Sequence, residues 1–224
     1  MRILGLDTAT RRTSIGLLID GEVVAEQAQD DGRHAIFLLP LIEQVLGDGN
    51  CTVQMLDAIA VSAGPGSFTG LRIGLSVSKG LACATGLPLV AVPTLEALAR
   101  TVEGHGIICA VLDARKGEVY TACFEHTARG CRRLTDDQVT TPEVLVASLP
   151  TPCTVVGDAV PRYGELLQAR LGRRATILPW ETCGPRGATV AALGAERLRD
   201  GLVADLANLE PFYIRPPEAV TKVA

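Results

Sequence analysis

No uninterrupted apolar stretch in this chain approaches the roughly 18 residues of a membrane span, so no segment reads as a transmembrane helix. Histidine is scarce: there are only His34, His105 and His126, and none stands four residues from another, as a helical metal site requires. The seven cysteines, at 51, 83, 109, 123, 131, 153 and 183, are odd in number and include no C-x-x-C pair. Most sit in apolar runs, as buried small hydrophobes do, and a reduced cytoplasmic protein is expected. A net charge of −4 provides no overall basic field to attract nucleic acid. The short clusters Arg11-Arg12, Arg129 to Arg133 and Arg170 to Arg174 read as solvated turns. In the opening "MRILGLDTAT", Asp7 cuts the apolar run too short for a secretory leader.

What is present points to a compact α/β protein. Of 224 residues, 47% are hydrophobic, with 23 glycines and 13 prolines as punctuation. Strands are expected at Ile3 to Asp7, Thr13 to Ile19 and Val23 to Gln27, the last two joined by the hairpin signal Asp20-Gly21. A helix over Arg33 to Leu46 follows, then a buried strand at Ala58 to Ala63, a helix at Thr69 to Ala84 and a strand at Pro88 to Val92. Thr94 caps a further helix. The opening scheme then recurs. "RILGLDTATRRTSIGLLID" (2 to 20) and "IICAVLDARKGEVYTACFE" (107 to 125) each run as strand, Asp, small residue, basic turn and strand. Helices at Pro142 to Leu149, Arg162 to Leu171 and Ala188 to Arg199, with strands at Thr154 to Gly157 and Ala175 to Leu178, complete a second lobe. The expected division is residues 1–103 and 104–215, with 216–224 as a mobile tail.

The stretch "AVSAGPGSFTGLRIGLSVSKGLA" (60 to 82) poses the functional question. A P-loop needs a Gly-Lys pair that is absent here. A dinucleotide fingerprint needs Gly where Thr69 stands, and a nucleophile elbow needs Gly at Pro65 and Thr69. The N-terminus of the following helix can accept an anion without any such motif. Gly64, Gly66 and Gly70 equally provide positive φ and tight strand-to-helix packing, which is the favoured reading. Asp7 and Asp113 are the carboxylates placed as a two-lobed nucleotide enzyme would want them. Ala9 and Ala114, standing where such an enzyme wants Gly, hinder close approach of a phosphate.

Two helices carry surplus surface. Ala35, Leu38, Leu39, Ile42, Val45 and Leu46 form a core stripe, yet Ile36, Phe37, Pro40 and Leu41 are also apolar, as for a helix buried on both sides. In the next helix Gly70, Gly74, Ser78 and Ala82 recur every four residues as a flat face, flanked by Leu71 and Leu75. A docking face is expected, formed by His34, Ile36, Phe37, Pro40, Leu41, Gln44, Gly70, Leu71, Gly74, Leu75, Ser78 and Ala82.

"ILGLDTAT", "LLPLIEQVL", "GPGSFTGLRIGL", "VLDARKGEVY" and "PFYIR" resemble the TsaB (YeaZ) family over residues 1 to about 215. The resemblance implies the fold of the acetate kinase/Hsp70/actin superfamily, with duplicated mixed-sheet lobes. It further implies a non-catalytic scaffold for threonylcarbamoyl transfer to adenosine 37 of tRNA. The implied partners are the catalytic paralogue TsaD and, through that pair, the ATPase TsaE. A homodimer is expected when the chain is alone, with tRNA contacted only indirectly and no membrane partner. No cofactor and no metal are expected, because the H-x-x-x-H pair of TsaD is missing, and Asp7 and Asp113 become vestigial cleft positions. The alternatives are a nucleotide-dependent phosphotransferase on the same fold, and an M22-type peptidase using Ser62 or Ser67 without a histidine base.

Overall fold

Strands β1 (Arg2–Asp7), β2 (Thr13–Ile19) and β3 (Glu22–Gln29) form an antiparallel meander. Its β2–β3 turn uses Asp20 and Gly21 at φ 52° and 93°, the two positive values that a tight hairpin twisted with its strands requires. The chain then runs through α1 (His34–Asp48), β4 (Ala58–Gly64), α2 (Phe68–Thr85), β5 (Leu89–Pro93) and α3 (Thr94–Ala99). Strands β4 and β5 add in parallel to give the order β3-β2-β1-β4-β5. The computed structural model describes residues 1–128 and 130–215, so the expected tail 216–224 lies outside the described residues.

The scheme repeats with β6 (Gly106–Arg115), β7 (Glu118–Thr127), β8 (Gly130–Arg133), β9 (Gln138–Thr140), α4 (Pro142–Ser148), β10 (Cys153–Val156), α5 (Val160–Leu171), β11 (Ala175–Ile177) and α6 (Trp180–Cys183). The second sheet has the order β11-β10-β6-β7-β8, the same path as the first, with β9 on the outer side of β7. Thr141 caps α4, its side chain accepting from the Val144 N–H. The short strands β8 and β9 and the one-turn α6 are not anticipated by the sequence pattern. Each is too brief to show a period.

One helix belongs elsewhere than expected. The chain divides into two compact units, Met1–Ala97 with Pro185–Phe212, and Leu98–Gly184 with the segment from Tyr213. Helix α7 (Gly187–Arg199) therefore joins the first unit rather than completing the second lobe, and the first division falls at 97/98 rather than 103/104. The cause is a backbone-to-backbone fit. Gly5 and Gly16 are cross-strand partners in the middle of β1 and β2, and a Cβ on either would overlap the α7 backbone at Gly187 or Ala188. Ser14 Oγ accepts from the Gly187 N–H (2.9 Å) and Glu26 Oε1 from the Ala188 N–H (2.9 Å), so the sheet itself caps this helix.

Helices α1 and α2 cover the other face of the first sheet, over a core that includes Leu4, Leu6, Ile15, Leu17, Ile59 and Val61. Ile3, Ala58, Ala60, Val90 and Val92 meet Val190, Ala191 and Leu193 of α7. Coverage of both faces explains why β1 and β4 are apolar without alternation. Residues beyond α7 return along this unit: Ala204 N–H donates to Leu89 O (2.8 Å), and Phe212 N–H to Ala63 O (2.7 Å).

Candidate interaction surface

The loop at 64–70 is shaped by close packing. Gly64 has φ 121°, and a Cβ there would overlap the Phe212 carbonyl that returns against it. A Cβ on Gly66 would overlap the Ala9 carbonyl, which accepts from the Ser67 N–H at 2.6 Å. Ser67 then caps α2, its Oγ accepting from the Gly70 N–H at 3.2 Å. Of the three loop glycines, Gly64 alone has positive φ; Gly66 and Gly70 are required by approach distance.

The small-residue face of α2 is already occupied. Thr8 Oγ1 donates to the Gly70 carbonyl (2.8 Å), and a Cβ at Gly70 or Gly74 would collide with Thr8. Gly70, Leu71, Gly74, Leu75, Ser78 and Ala82 are all buried within the chain's own first unit. The expectation that they present a free face for another helix is therefore corrected: Thr8, just beyond β1, fills it at Gly70 and Gly74, and Ser78 and Ala82 are buried as well. Among the residues that α2 does expose are Phe68, Arg72 and Ser76, with Ile73 and Val77 half-buried.

On α1 the core stripe is His34, Leu38, Leu41, Ile42, Val45 and Leu46. Leu41, expected on the surplus face, is 9% exposed, while Leu39, expected in the core, is 56% exposed. The helix is rotated from the sequence reading by His34, which is buried and bonded through Nδ1 to Thr13 Oγ1 at 2.7 Å. Burial holds its pKa below the ordinary histidine value, against a hydrogen bond with the Thr10 backbone. Ile36 is 57% exposed, Pro40 and Gln44 are exposed, and Phe37 is half-buried beneath the Arg33 guanidinium, 5.1 Å from its ring centre. Pro40 lies on the exposed side, and its missing N–H removes the usual helical partner of the carbonyl of Ile36, itself an exposed residue. The polar pair Glu43 and Gln44 was the available signal for this phase, because it marks the outward direction.

Between the two helices runs a groove of about 320 Å³, walled by Ala35, Leu38 and Leu39 from α1 and by Arg72, Ile73, Ser76 and Val77 from α2. The Arg72 guanidinium stacks 3.9 Å from the Phe68 ring centre at one end. Apolar walls, an exposed Ile36–Leu39–Pro40 ridge and stacked arginines give this surface the composition of a protein-binding patch.

The groups that would perform chemistry are committed internally. Asp7 is fully buried, accepts from the Ala9 N–H at 3.0 Å and from the Ser62 hydroxyl, and is pushed up to about 6 by desolvation. Asp113 accepts from the Arg115 N–H at 2.8 Å and pairs with the Arg115 and Arg162 guanidiniums at 3.3 and 3.4 Å. Ser62 donates to Asp7 and Ser67 accepts from the Gly70 N–H, and among the described residues neither is hydrogen-bonded to a histidine. Among the described residues, no three His, Cys, Asp or Glu side chains are grouped to hold a metal ion. No helix there is long and apolar enough to cross a membrane.

Comparison with known proteins agrees with this architecture. The family profile for TsaD, tRNA N6-adenosine threonylcarbamoyltransferase, matches residues 20–219. The tRNA threonylcarbamoyladenosine biosynthesis protein TsaB of Bacillus subtilis is 31% identical, over 99% of this chain and 97% of its own. The solved structure of YeaZ from Pseudomonas aeruginosa superposes with a TM-score of 0.82 at 28% identity, covering 95% of this chain and 99% of that one. A more distant likeness, to the activator of the 2-hydroxyisocaproyl-CoA dehydratase from Clostridium difficile, has a TM-score of 0.56 at 10% identity and concerns the fold alone. The two sheets share one strand path, 3-2-1-4-5 in the first, and the fold is acetate kinase/Hsp70/actin-like. The chain belongs to the TsaD-related family of threonylcarbamoyladenosine proteins and, within it, to the TsaB (YeaZ) members.

Proposed function

We propose that this chain serves tRNA threonylcarbamoyladenosine biosynthesis as a non-catalytic scaffold that binds the catalytic TsaD subunit through α1 and α2. The pair so formed presents a docking site for the ATPase TsaE, and tRNA is met chiefly by the partner. The observation that carries this reading is the exposed apolar ridge Ile36, Leu39 and Pro40 beside the groove walled by Ile73 and Val77. Asp7 and Asp113 support it from the other side, because each is bonded within its own unit. Without TsaD, the same face pairs two copies of this chain about a two-fold axis, so that homodimer and heterodimer exclude one another. No cofactor or metal belongs to this chain in the proposal.

Leu39→Glu is the discriminating variant, since it places a carboxylate on the ridge without touching the core. Burying an unpaired carboxylate costs several kcal/mol, enough to weaken a micromolar complex by well over tenfold. Sedimentation of wild type and variant, each alone and with TsaD, should show both assemblies lost while the thermal midpoint is unchanged. Normal TsaD binding by Leu39→Glu would remove the face from the proposal.

A further inference from the structure

Cys109 of β6 and Cys123 of β7 stand directly opposite one another in the second sheet, with their sulphurs 3.5 Å apart. The kind of pair they form follows from where the Cys123 backbone is committed. Its N–H donates to Thr135 Oγ1 (2.8 Å), and its carbonyl accepts from the N–H groups of Leu134 and Thr135 (2.8 and 3.3 Å). In an antiparallel strand the N–H and C=O of one residue point to the same neighbour, so those of Cys123 point away from β6. Cys109 and Cys123 are therefore a non-hydrogen-bonded pair, the type whose Cα atoms approach to about 4.5 Å. That separation falls inside the window of roughly 4.4–6.8 Å that a disulfide spans.

The two thiols are not equivalent. Cys109 is wholly buried, whereas Cys123 retains 5% exposure. The sulphur–sulphur hydrogen bond holds Cys123 below the ordinary thiol value, assisted by the Thr135 hydroxyl, and pushes Cys109 well above it. Cys153 on β10, in the same core, is pushed up to about 11 by burial and stays protonated. Of the two, Cys123 is the more accessible and the more readily ionised, with a resolving thiol already in contact.

We propose that Cys109 and Cys123 are an oxidisable dithiol that closes to a cross-strand disulfide on reaction with a peroxide. The Cys123 thiolate attacks one peroxide oxygen, giving the sulfenic acid and hydroxide. Cys109 then attacks the sulfenic sulphur, the S–O bond breaks, and the thiol proton leaves with the hydroxyl as water. In sum, one hydrogen peroxide and two thiols give one disulfide and two waters, and a dithiol reductant reverses the change. The new bond clips β6 to β7 in the middle of the second sheet and uses nothing on the α1–α2 face.

The test is to treat the folded full-length protein with graded hydrogen peroxide, alkylate it in denaturant and digest it with trypsin without reduction. Two of the seven thiols should become protected, and the peptide 101–115, carrying Cys109, should be joined to 117–129, carrying Cys123. Dithiothreitol before alkylation should abolish the joined species. In Cys109→Ala, Cys123 should instead yield a sulfenic acid captured by dimedone. Cross-links confined to exposed Cys83, a Cys123–Cys153 link, or full alkylation of Cys109 and Cys123 at peroxide doses that oxidise Cys83 would each overturn the proposal.

Discussion

At the scale of single residues, the polar groups at the end of β1 are held by the fold rather than offered to a ligand. Asp7 is the clearest case, and it leaves a pH signature. Its pKa is raised from 3.8 to about 6, so the folded chain binds this proton more tightly than the unfolded chain does. The group therefore favours folding below about pH 4. That advantage is lost as pH rises from about 4 to about 6, and ionised burial is a penalty above that. Two pKa units correspond to about 3 kcal/mol. Asp7→Asn keeps the acceptor for Ala9 and removes the charge, so it should be more stable than wild type at pH 8, with the difference shrinking as pH falls through about 6 and vanishing only below about pH 4. Urea denaturation of both proteins across that range isolates the group, because every other carboxylate cancels in the comparison.

At the scale of elements, glycines in one helix play opposite parts. Gly70 of α2 has no room for a Cβ against the Thr8 carbonyl, whereas a Cβ on Gly80 would meet nothing within 4 Å. Gly80→Ala should stabilise the chain by about 0.5–1 kcal/mol through helix propensity. Gly70→Ala should destabilise it by about 2 kcal/mol or more, since backbone must move to admit the methyl group. Denaturant midpoints of the two variants, measured side by side, test whether the small-residue stripe packs on β1. The sequence showed the stripe but not its occupant, because small residues favour any close neighbour equally.

For the whole molecule, the chain order misleads about which parts fold together. Helix α7 follows the second sheet in sequence yet covers one face of the first, where Ile3, Ala58 and Ala60 meet Val190 and Leu193. Ending the chain at Gly184 should therefore cost the first unit its cooperative unfolding, although no residue before 98 has been removed. Amide exchange in β1 and β2 should rise by orders of magnitude in the truncated chain, while β6 and β7 keep their protection. Retained protection in β1 would contradict the assignment of α7.

Apart from β8, β9 and α6, the order of strands and helices, the Asp20-Gly21 hairpin, the Thr141 cap and the repeated strand–Asp–turn–strand plan were written in the residues themselves. Each depends on local periods or on turn and cap chemistry that a linear reading contains. The motifs around the 64–70 loop carried the family in the same way. Three further matters were decided only in three dimensions. The rotation of α1, which buries Leu41 and frees Leu39, follows from anchoring His34 on Thr13. The seat of α7 follows from Gly5 and Gly16 meeting across β1 and β2, far from α7 in sequence. The facing of Cys109 and Cys123 depends on strand register, which a shift of one residue would undo. Periodicity tells which side of an element is apolar, but what covers that side is set by residues distant in the chain.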